Sequence, residues 1–507
     1  MSRLIEKYFF APKDSLVTSE RALPPVWLRR FLRGIVILQI AIVTWDTIGL
    51  MRAYGIRRVQ ADCAAYLTAA QALLRGDGLK TPPIFEPLPY GWMHEWPLGY
   101  PAAIALTTKV TGLEPFYASR WLNVILLMVT YGLLLYFFRE EAEWIFFFIY
   151  PPNYTWNVTY ALSENLYIPL FVGFIGAFWK YRQTMRLRWA GVMALMLGAL
   201  FLTRYASIAI GAGLALWGMW RALRKDWKTF IVSIGLFIGQ AVLAALYFWW
   251  NSLNHPLRET GLSIRDMPMP PDLLWLIWEL VPFIRLVGLV GLGFLVVRWL
   301  RGGTRFSPDK EELHEILLIL SFTQAMLYFW SMWRGRVGIV DMRHFVIIFQ
   351  PLMWYWGQRL WRYFSPYAIA IGGLVFLGWQ IRNTYWHHRW AYEKSYVPYE
   401  YVTAVRQAYD SLPQRSCIIS GSLAYSIVGE RTDICMGQSG AYFPILLRDC
   451  DCLYIDCGLL EERHKLGMAG GIFWPFIRYC DKPCTSWVCL RKIACASSPP
   501  KSSEGSP

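Results

Sequence analysis

Asp62 heads a segment whose residue types suit proton transfer, the run Asp62-Cys63-Ala64-Ala65-Tyr66-Leu67-Thr68-Ala69-Ala70-Gln71-Ala72-Leu73-Leu74-Arg75-Gly76. Apolar residues at 63, 66, 67, 70, 73 and 74 recur at helical spacing, with Thr68, Gln71 and Arg75 on the other face. The spacing predicts an amphipathic helix ended by Gly76 and lying along a membrane surface. Asp62 at its start reads as an N-cap, accepting from free backbone N–H groups. A carboxylate fixed in that way is also ionised and aimed, which suits a general base or a metal ligand. The two roles are compatible.

Further on, Pro89-Tyr90-Gly91-Trp92-Met93-His94-Glu95-Trp96-Pro97-Leu98-Gly99-Tyr100-Pro101 is bent by its prolines and glycines. His94 and Glu95 are adjacent ligand-type residues on that path, or an exposed interfacial pair. Arg204 interrupts a long apolar run. It suits a lipid phosphate, which its planar fork matches, and equally a snorkelling helix end. Arg334, Arg336 and Arg343 cluster with Asp341 in one short segment, which favours phosphate binding over an ordinary solvated loop.

The elements that must position these residues are membrane spans. The chain has 507 residues, 55% hydrophobic and only 17% charged, with a mean hydropathy of +0.30. Soluble domains carry roughly a quarter charged residues. Twenty-seven Trp fit helix ends in a headgroup belt. The net charge of +15 is explained by basic loops that set orientation, so nucleic acid is discounted as a partner. The N-terminal residues lack the short apolar core and small-residue cleavage site of a signal peptide, so the first span is expected to direct insertion. Apolar stretches of spanning length fall at 34–51, 116–138, 229–250, 275–298, 315–332, 344–361 and 366–381. Two more, 144–179 and 190–220, are too long for one helix. The first breaks at Pro151-Pro152 and again near Thr159 to Glu164, the second at Thr203-Arg204-Tyr205. Each reads as a hairpin, giving about eleven passes in an all-α bundle.

Lys and Arg collect in the N-terminal 33 residues and in alternate loops, such as 180–189, 221–228 and 298–314. The positive-inside rule therefore puts the N-terminus in the cytoplasm and the segment after 381 outside, in a plasma (inner) membrane. The expected division is a basic N-terminus 1–33 and a transmembrane domain 34–381 with a long first outer loop 52–115. After it come a small α/β domain 382–495 and a Ser/Pro-rich disordered tail 496–507. Nine of the ten cysteines lie between 417 and 495. None shows Cys-x-x-Cys spacing, so disulfides in an oxidising compartment are expected over zinc.

In this order and placement, the motifs resemble those of the GT-C superfamily of membrane glycosyltransferases, over roughly residues 30–430. The resemblance is to the branch with protein O-mannosyltransferases and the lipid A aminoarabinose transferase. It is carried by Asp62…Tyr66…Ala69-Ala70…Leu73-Leu74-Arg75-Gly76-Asp77-Gly78-Leu79 and Trp96-Pro97-Leu98-Gly99-Tyr100-Pro101. Later come Leu162-Ser163-Glu164, Leu202-Thr203-Arg204 and Arg343-His344 near Pro351. The resemblance implies inverting transfer of a sugar from a polyprenyl-phosphate donor to a lipid, glycan or protein hydroxyl outside the cytoplasm. It maps the base onto Asp62 and a second carboxylate onto Glu164; Tyr66, Tyr100, Arg204, Arg336 and Arg343 are the residues expected against substrate. Many members use a divalent metal, and the residue types of Glu164, His94 and Glu95 suit Mg or Mn, with Zn through His94. The paired acid that many such enzymes carry is missing, since Asp62 is followed by Cys63 and Glu164 by Asn165. A transporter or flippase of a lipid-linked anion, or a surface-polysaccharide polymerase or ligase, remains an alternative. The first predicts inverted repeats, of which no convincing instance occurs.

Overall fold

The computed structural model describes residues 25–49, 56–57, 61–81, 91–92, 97–152, 155–254, 311–333, 351, 353–355 and 364–390. Beyond these it describes 396–397, 407–408, 410–413, 416–419, 435–437, 452–456 and 490–495. The chain divides into two compact units. One holds residues 1–46, 123–159 and 163–386, the other 47–122, 160–162 and 387–507.

The first unit is helical. Helix α1 (Val26–Thr44) starts directly after Pro25 and continues through a wider turn at Trp45–Gly49. It therefore begins before the expected apolar span at 34. Arg29 and Arg33 are carried on the helix because acidic partners meet them: Arg29 pairs with Glu140 at 3.1 Å and Arg33 with the buried Glu143 at 3.0 Å. Tyr131 also donates to Glu143, at 3.2 Å. Among the described residues, four helices or helix runs are long and apolar enough to cross a membrane, at Val26–Gly49, Pro115–Ile149, Tyr205–Leu223 and Trp227–Asn251.

Both expected breaks are present. The run Pro115–Ile149 contains α4 (Pro115–Phe138), a tight turn at Arg139–Glu141 and α5 (Ala142–Ile149), which stops before Pro151-Pro152. A single tight turn, Thr155–Thr159, then leads to α6 (Glu164–Thr184). The next hairpin is α7 (Leu187–Thr203), an extended Arg204, a turn at Tyr205–Ser207 and α8 (Ile208–Leu223). Helices α9 (Trp227–Asn254), α10 (Glu311–Trp333) and α11 (Pro366–Trp390) complete the described part. The spans expected at 275–298 and 344–361 lie largely or wholly outside the described residues. Ile231, Ile238, Val242, Leu246 and Trp249 of α9 are exposed, an apolar face of the kind a bilayer covers.

One end of α6, α8, α9 and α10 is tied by charge. Arg182 donates to Glu312 from Nε at 2.6 Å and Nη2 at 2.8 Å, and to Asp226 at 3.1 Å. It also donates to the Thr229 hydroxyl. Arg221 reaches Glu312 at 2.9 Å and Asp226 at 3.2 Å. Lys225 (φ 65°) turns the chain left-handed after α8 and brings Asp226 back to these arginines. Arg182→Ala leaves two carboxylates sharing Arg221, and is expected to cost about 2 kcal/mol in a thermal or denaturant melt. Arg182→Lys should recover only part, because an ammonium lacks the planar fork. Burial opposes the Asp226 carboxylate, but the Thr229 hydroxyl and N–H, with Arg182 and Arg221, hold its pKa below the ordinary value. Its stabilising share is thus complete above the usual carboxylate range and is lost as pH falls through the depressed pKa.

In the second unit, α2 (Ala61–Arg75) packs against α3 (Gly99–Thr111). Gly76, at φ 85°, ends α2 in the left-handed conformation that favours glycine. The predicted polar face needs correction at one position. Thr68 is buried, and its hydroxyl is satisfied by the Ala65 carbonyl at 3.1 Å. Small residues at 65, 69, 70 and 72 let neighbouring chain close over that side. Short antiparallel pairs join Lys80–Thr81 to Gly91–Trp92, and β1 (Ile56–Arg57) to β4 (Tyr396–Val397). Four strands near the C-terminus are β5 (Ser416–Ile419), β6 (Cys435–Gly437), β7 (Cys452–Asp456) and β8 (Leu490–Cys495). They form a sheet in the order β6-β5-β7-β8, with β8 antiparallel. Cys452 is disulfide-bonded. Mass mapping after alkylation without reductant should accordingly find Cys452 blocked.

Candidate functional site

Asp62 lies in the first turn of α2 and is partly exposed. The unpaired N–H groups of a helix start and the helix dipole favour negative charge there. Tyr66, one turn on, is buried and meets Tyr100 of α3 edge to face, with ring centroids 5.3 Å apart. The two tyrosines expected against substrate thus form one aromatic contact behind Asp62. Pro97 to Pro101 lead straight into α3, so this bent segment becomes a helix start from Gly99 onward.

In the helical unit, the irregular segment between α5 and α6 is held by side chains from its neighbours. Gln39 donates to the Tyr150 carbonyl at 3.0 Å, Asn123 to Val158 at 2.8 Å and Asn165 to Asn157 at 3.1 Å. Thr155 donates to Gln380 at 2.9 Å. Non-helical backbone at membrane depth survives only with such partners. Together they fix the start of α6, where Ser163 precedes a fully buried Glu164.

The break at Arg204 faces that start. Arg204 adopts an extended backbone (φ −151°, ψ 125°), and its Nη1 lies 2.6 Å from Glu164 Oε1 and 3.2 Å from Ser163 Oγ. Gln240 of α9 takes up backbone carbonyls around the break, donating to Ser207 at 3.2 Å and Leu197 at 3.4 Å. Gly211 gives Gln240 room, since a Cβ there would meet its Oε1. Glu164 and Arg204, forty positions apart in sequence, are therefore a buried pair. A guanidinium already matched by a carboxylate is a weaker claimant to a lipid phosphate than one without such a match.

Two residues went unread in the sequence. Arg120, on α4, is 1% exposed, stacks 3.8 Å over the Phe116 ring and donates to Phe116 O at 3.2 Å and Ser119 Oγ at 2.8 Å. An ionisable residue inside an apolar run was the available signal. Gln324, on α10, accepts from the Tyr167 hydroxyl at 3.4 Å. His94, Glu95, Arg336 and Arg343 lie outside the described residues.

Several solved structures share the fold. ArnT from Cupriavidus metallidurans bound to undecaprenyl phosphate aligns over 86% of this chain and 95% of its own, with TM-score 0.53 and 11% identity. The Archaeoglobus fulgidus oligosaccharyltransferase in its apo form aligns over 85% of this chain and 70% of its own, with TM-score 0.51 and 10% identity. The same oligosaccharyltransferase in complex with zinc and sulfate aligns over 88% and 71%, at TM-score 0.51 and 12% identity. The chain shares its fold with these solved structures, and its apolar helices of spanning length make it a membrane protein. By sequence alone, neither a family model nor a curated protein matches it.

Proposed function

We propose that this chain is a glycosyltransferase that moves a sugar from a polyprenyl-phosphate donor onto an acceptor hydroxyl on the extracytoplasmic side of the plasma membrane. The observation that carries the reading is Asp62 in the first turn of the helix that opens the first long loop of a GT-C fold. Of the counterparts, ArnT is bound to undecaprenyl phosphate, a lipid of the proposed donor's kind.

In this reading Asp62 takes the proton from the acceptor hydroxyl as its oxygen bonds to the anomeric carbon. The bond from that carbon to the phosphate oxygen breaks with inversion, and polyprenyl phosphate leaves. Arg336 and Arg343 are assigned to that phosphate, where fixed cations stabilise the charge that develops. Glu164 and Arg204 hold one another and the α6 start in place, and Tyr66 and Tyr100 shape the surface behind Asp62. The acceptor is a lipid, glycan or protein hydroxyl.

Of the candidate cation ligands Glu164, His94 and Glu95, only Glu164 lies among the described residues. Glu164 is engaged by Arg204 at 2.6 Å, and no three His, Cys, Asp or Glu converge among the described residues. Each step is assigned to the chain's own side chains, and loss of transfer in excess chelator would add a divalent cation held by His94 and Glu95. The proposed orientation keeps the N-terminus inside and the region after α11 outside. Reporters fused beyond Trp390 should be active only outside the cytoplasm. The reading as a whole is tested by sugar transfer from synthetic polyprenyl-phosphate donors by the purified protein in nanodiscs. A protein that moves such lipids across vesicles but never transfers sugar would overturn it in favour of a transporter.

A further inference from the structure

Helices α6 and α10 run antiparallel, tied at one end by Arg182 and Glu312 and further along by Tyr167 and Gln324. Tyr167 stands about 22 Å along α6 from Arg182, and Gln324 about 18 Å along α10 from Glu312, at 1.5 Å per residue. This second contact falls one turn from Glu164, on the same stripe of α6. The Tyr167 hydroxyl also lies within the field of Arg204. Ser163, Glu164, Tyr167, Arg204 and Gln324 thus form one polar group near the end of the bundle that holds the α6 start. Four of the five are at most 5% exposed, and Arg204 is the partly exposed member, at 19%.

Gln324 is the member left incomplete. Its Oε1 accepts from Tyr167 at 3.4 Å, while its Nε2 has no partner among the described residues although the residue is 5% exposed. Turning the amide over only exchanges which end is left, because a tyrosine hydroxyl both donates and accepts. A buried amide end without a partner is costly, and this one belongs to the polar group of Glu164 and Arg204 at the helix break, where a ligand would complete the network. The charge of the group indicates the ligand. Glu164 and Arg204 cancel at 2.6 Å, and Ser163, Tyr167 and Gln324 are neutral. An added phosphate would bring an uncompensated negative charge into a poorly solvated place, whereas a hydroxyl brings a donor and an acceptor with no charge.

We propose that Gln324 is a specificity-determining residue that hydrogen-bonds a hydroxyl of a neutral sugar, within the charge-neutral group of Ser163, Glu164, Tyr167 and Arg204. This rests on the glycosyltransferase reading and adds a sugar subsite to it. The hydroxyl belongs to the donor's sugar ring or to the acceptor, which offer the same chemistry.

The test uses the full chain in nanodiscs. It compares binding of undecaprenyl phosphate with that of undecaprenyl phosphates carrying mannose, glucose, galactose, N-acetylglucosamine or an aminopentose. Transfer to acceptors in a membrane extract is measured alongside. Gln324→Leu removes the amide. Gln324→Glu keeps an acceptor for Tyr167 and removes only the donor, so it serves if the leucine variant fails to fold. Both are expected to weaken binding of the favoured sugar lipid on the order of tenfold, with bare undecaprenyl phosphate bound as before. Unchanged donor binding with a tenfold higher KM for acceptor places the hydroxyl on the acceptor, and also supports the proposal. Unchanged binding and transfer in both variants would overturn it and leave the glycosyltransferase reading standing. Equal losses for bare and sugar-bearing lipid would overturn it as well, pointing to the phosphate or to a packing defect. A wild-type protein that neither prefers any sugar lipid nor transfers from it would remove both.

Discussion

Asp62→Asn should reduce sugar transfer on the order of 10²-fold or more while leaving the amount and melting temperature of the protein nearly unchanged. Asparagine keeps the shape of aspartate and most of its ability to accept hydrogen bonds at a helix start, so the loss isolates the proton acceptor. The structure sharpens the comparison. Asp62 sits in the first turn of α2, so its electrostatic contribution to the helix is about 0.3–1 kcal/mol. A loss of that size moves stability slightly and turnover hardly at all. The decisive pair of measurements is kcat/KM with a polyprenyl-phosphate sugar and the thermal midpoint in the same nanodiscs. Near-normal transfer by the Asn variant would sink the assignment of Asp62 as base.

The second large effect is expected at Glu164, first on stability. Glu164→Ala strands the Arg204 guanidinium beside a buried helix start, and a broken buried pair costs about 3 kcal/mol, the low end of the usual range because Arg204 retains some exposure. Replacing both partners with leucine should restore most of that stability, since an apolar pair needs no charge compensation. The doubly substituted protein should fold and yet transfer poorly, because the polar group around the α6 start is gone. A double variant with full activity would show that the pair serves folding only. One as unstable as Glu164→Ala would show that the energetic role assigned to the pair is wrong.

The sequence announced the helices and their interruptions better than the contacts between them. Apolar runs with Pro151-Pro152 or Thr203-Arg204-Tyr205 inside them can only be broken helices in a membrane, and broken helices are what α5–α6 and α7–α8 are. Helix ends were less legible where charge was involved. The α1 helix starts before its apolar window because Glu140 and Glu143, more than a hundred positions away, neutralise Arg29 and Arg33. A window of hydropathy cannot see such a partner. The same limit hid the Glu164–Arg204 pair, although each residue had been singled out by its own surroundings. Thr68 was assigned to a polar face by spacing alone, and only the packing of small residues around it shows why it is buried. Gln324 had no sequence signal, since an amide inside a span is unremarkable until its partners can be counted.

The β1–β4 pairing has a consequence for how this chain can be cut and how it can change. Ile56 and Arg57, which lead into α2, find their hydrogen-bonding strand in Tyr396 and Val397, past the last described helix. A protein shortened after α11 would lose that strand and expose a raw edge next to the segment that carries Asp62. Domain-swap chimaeras joined at that point would import a foreign edge. An insertion within either two-residue strand would shift its register against the other and turn its side chains to the opposite face.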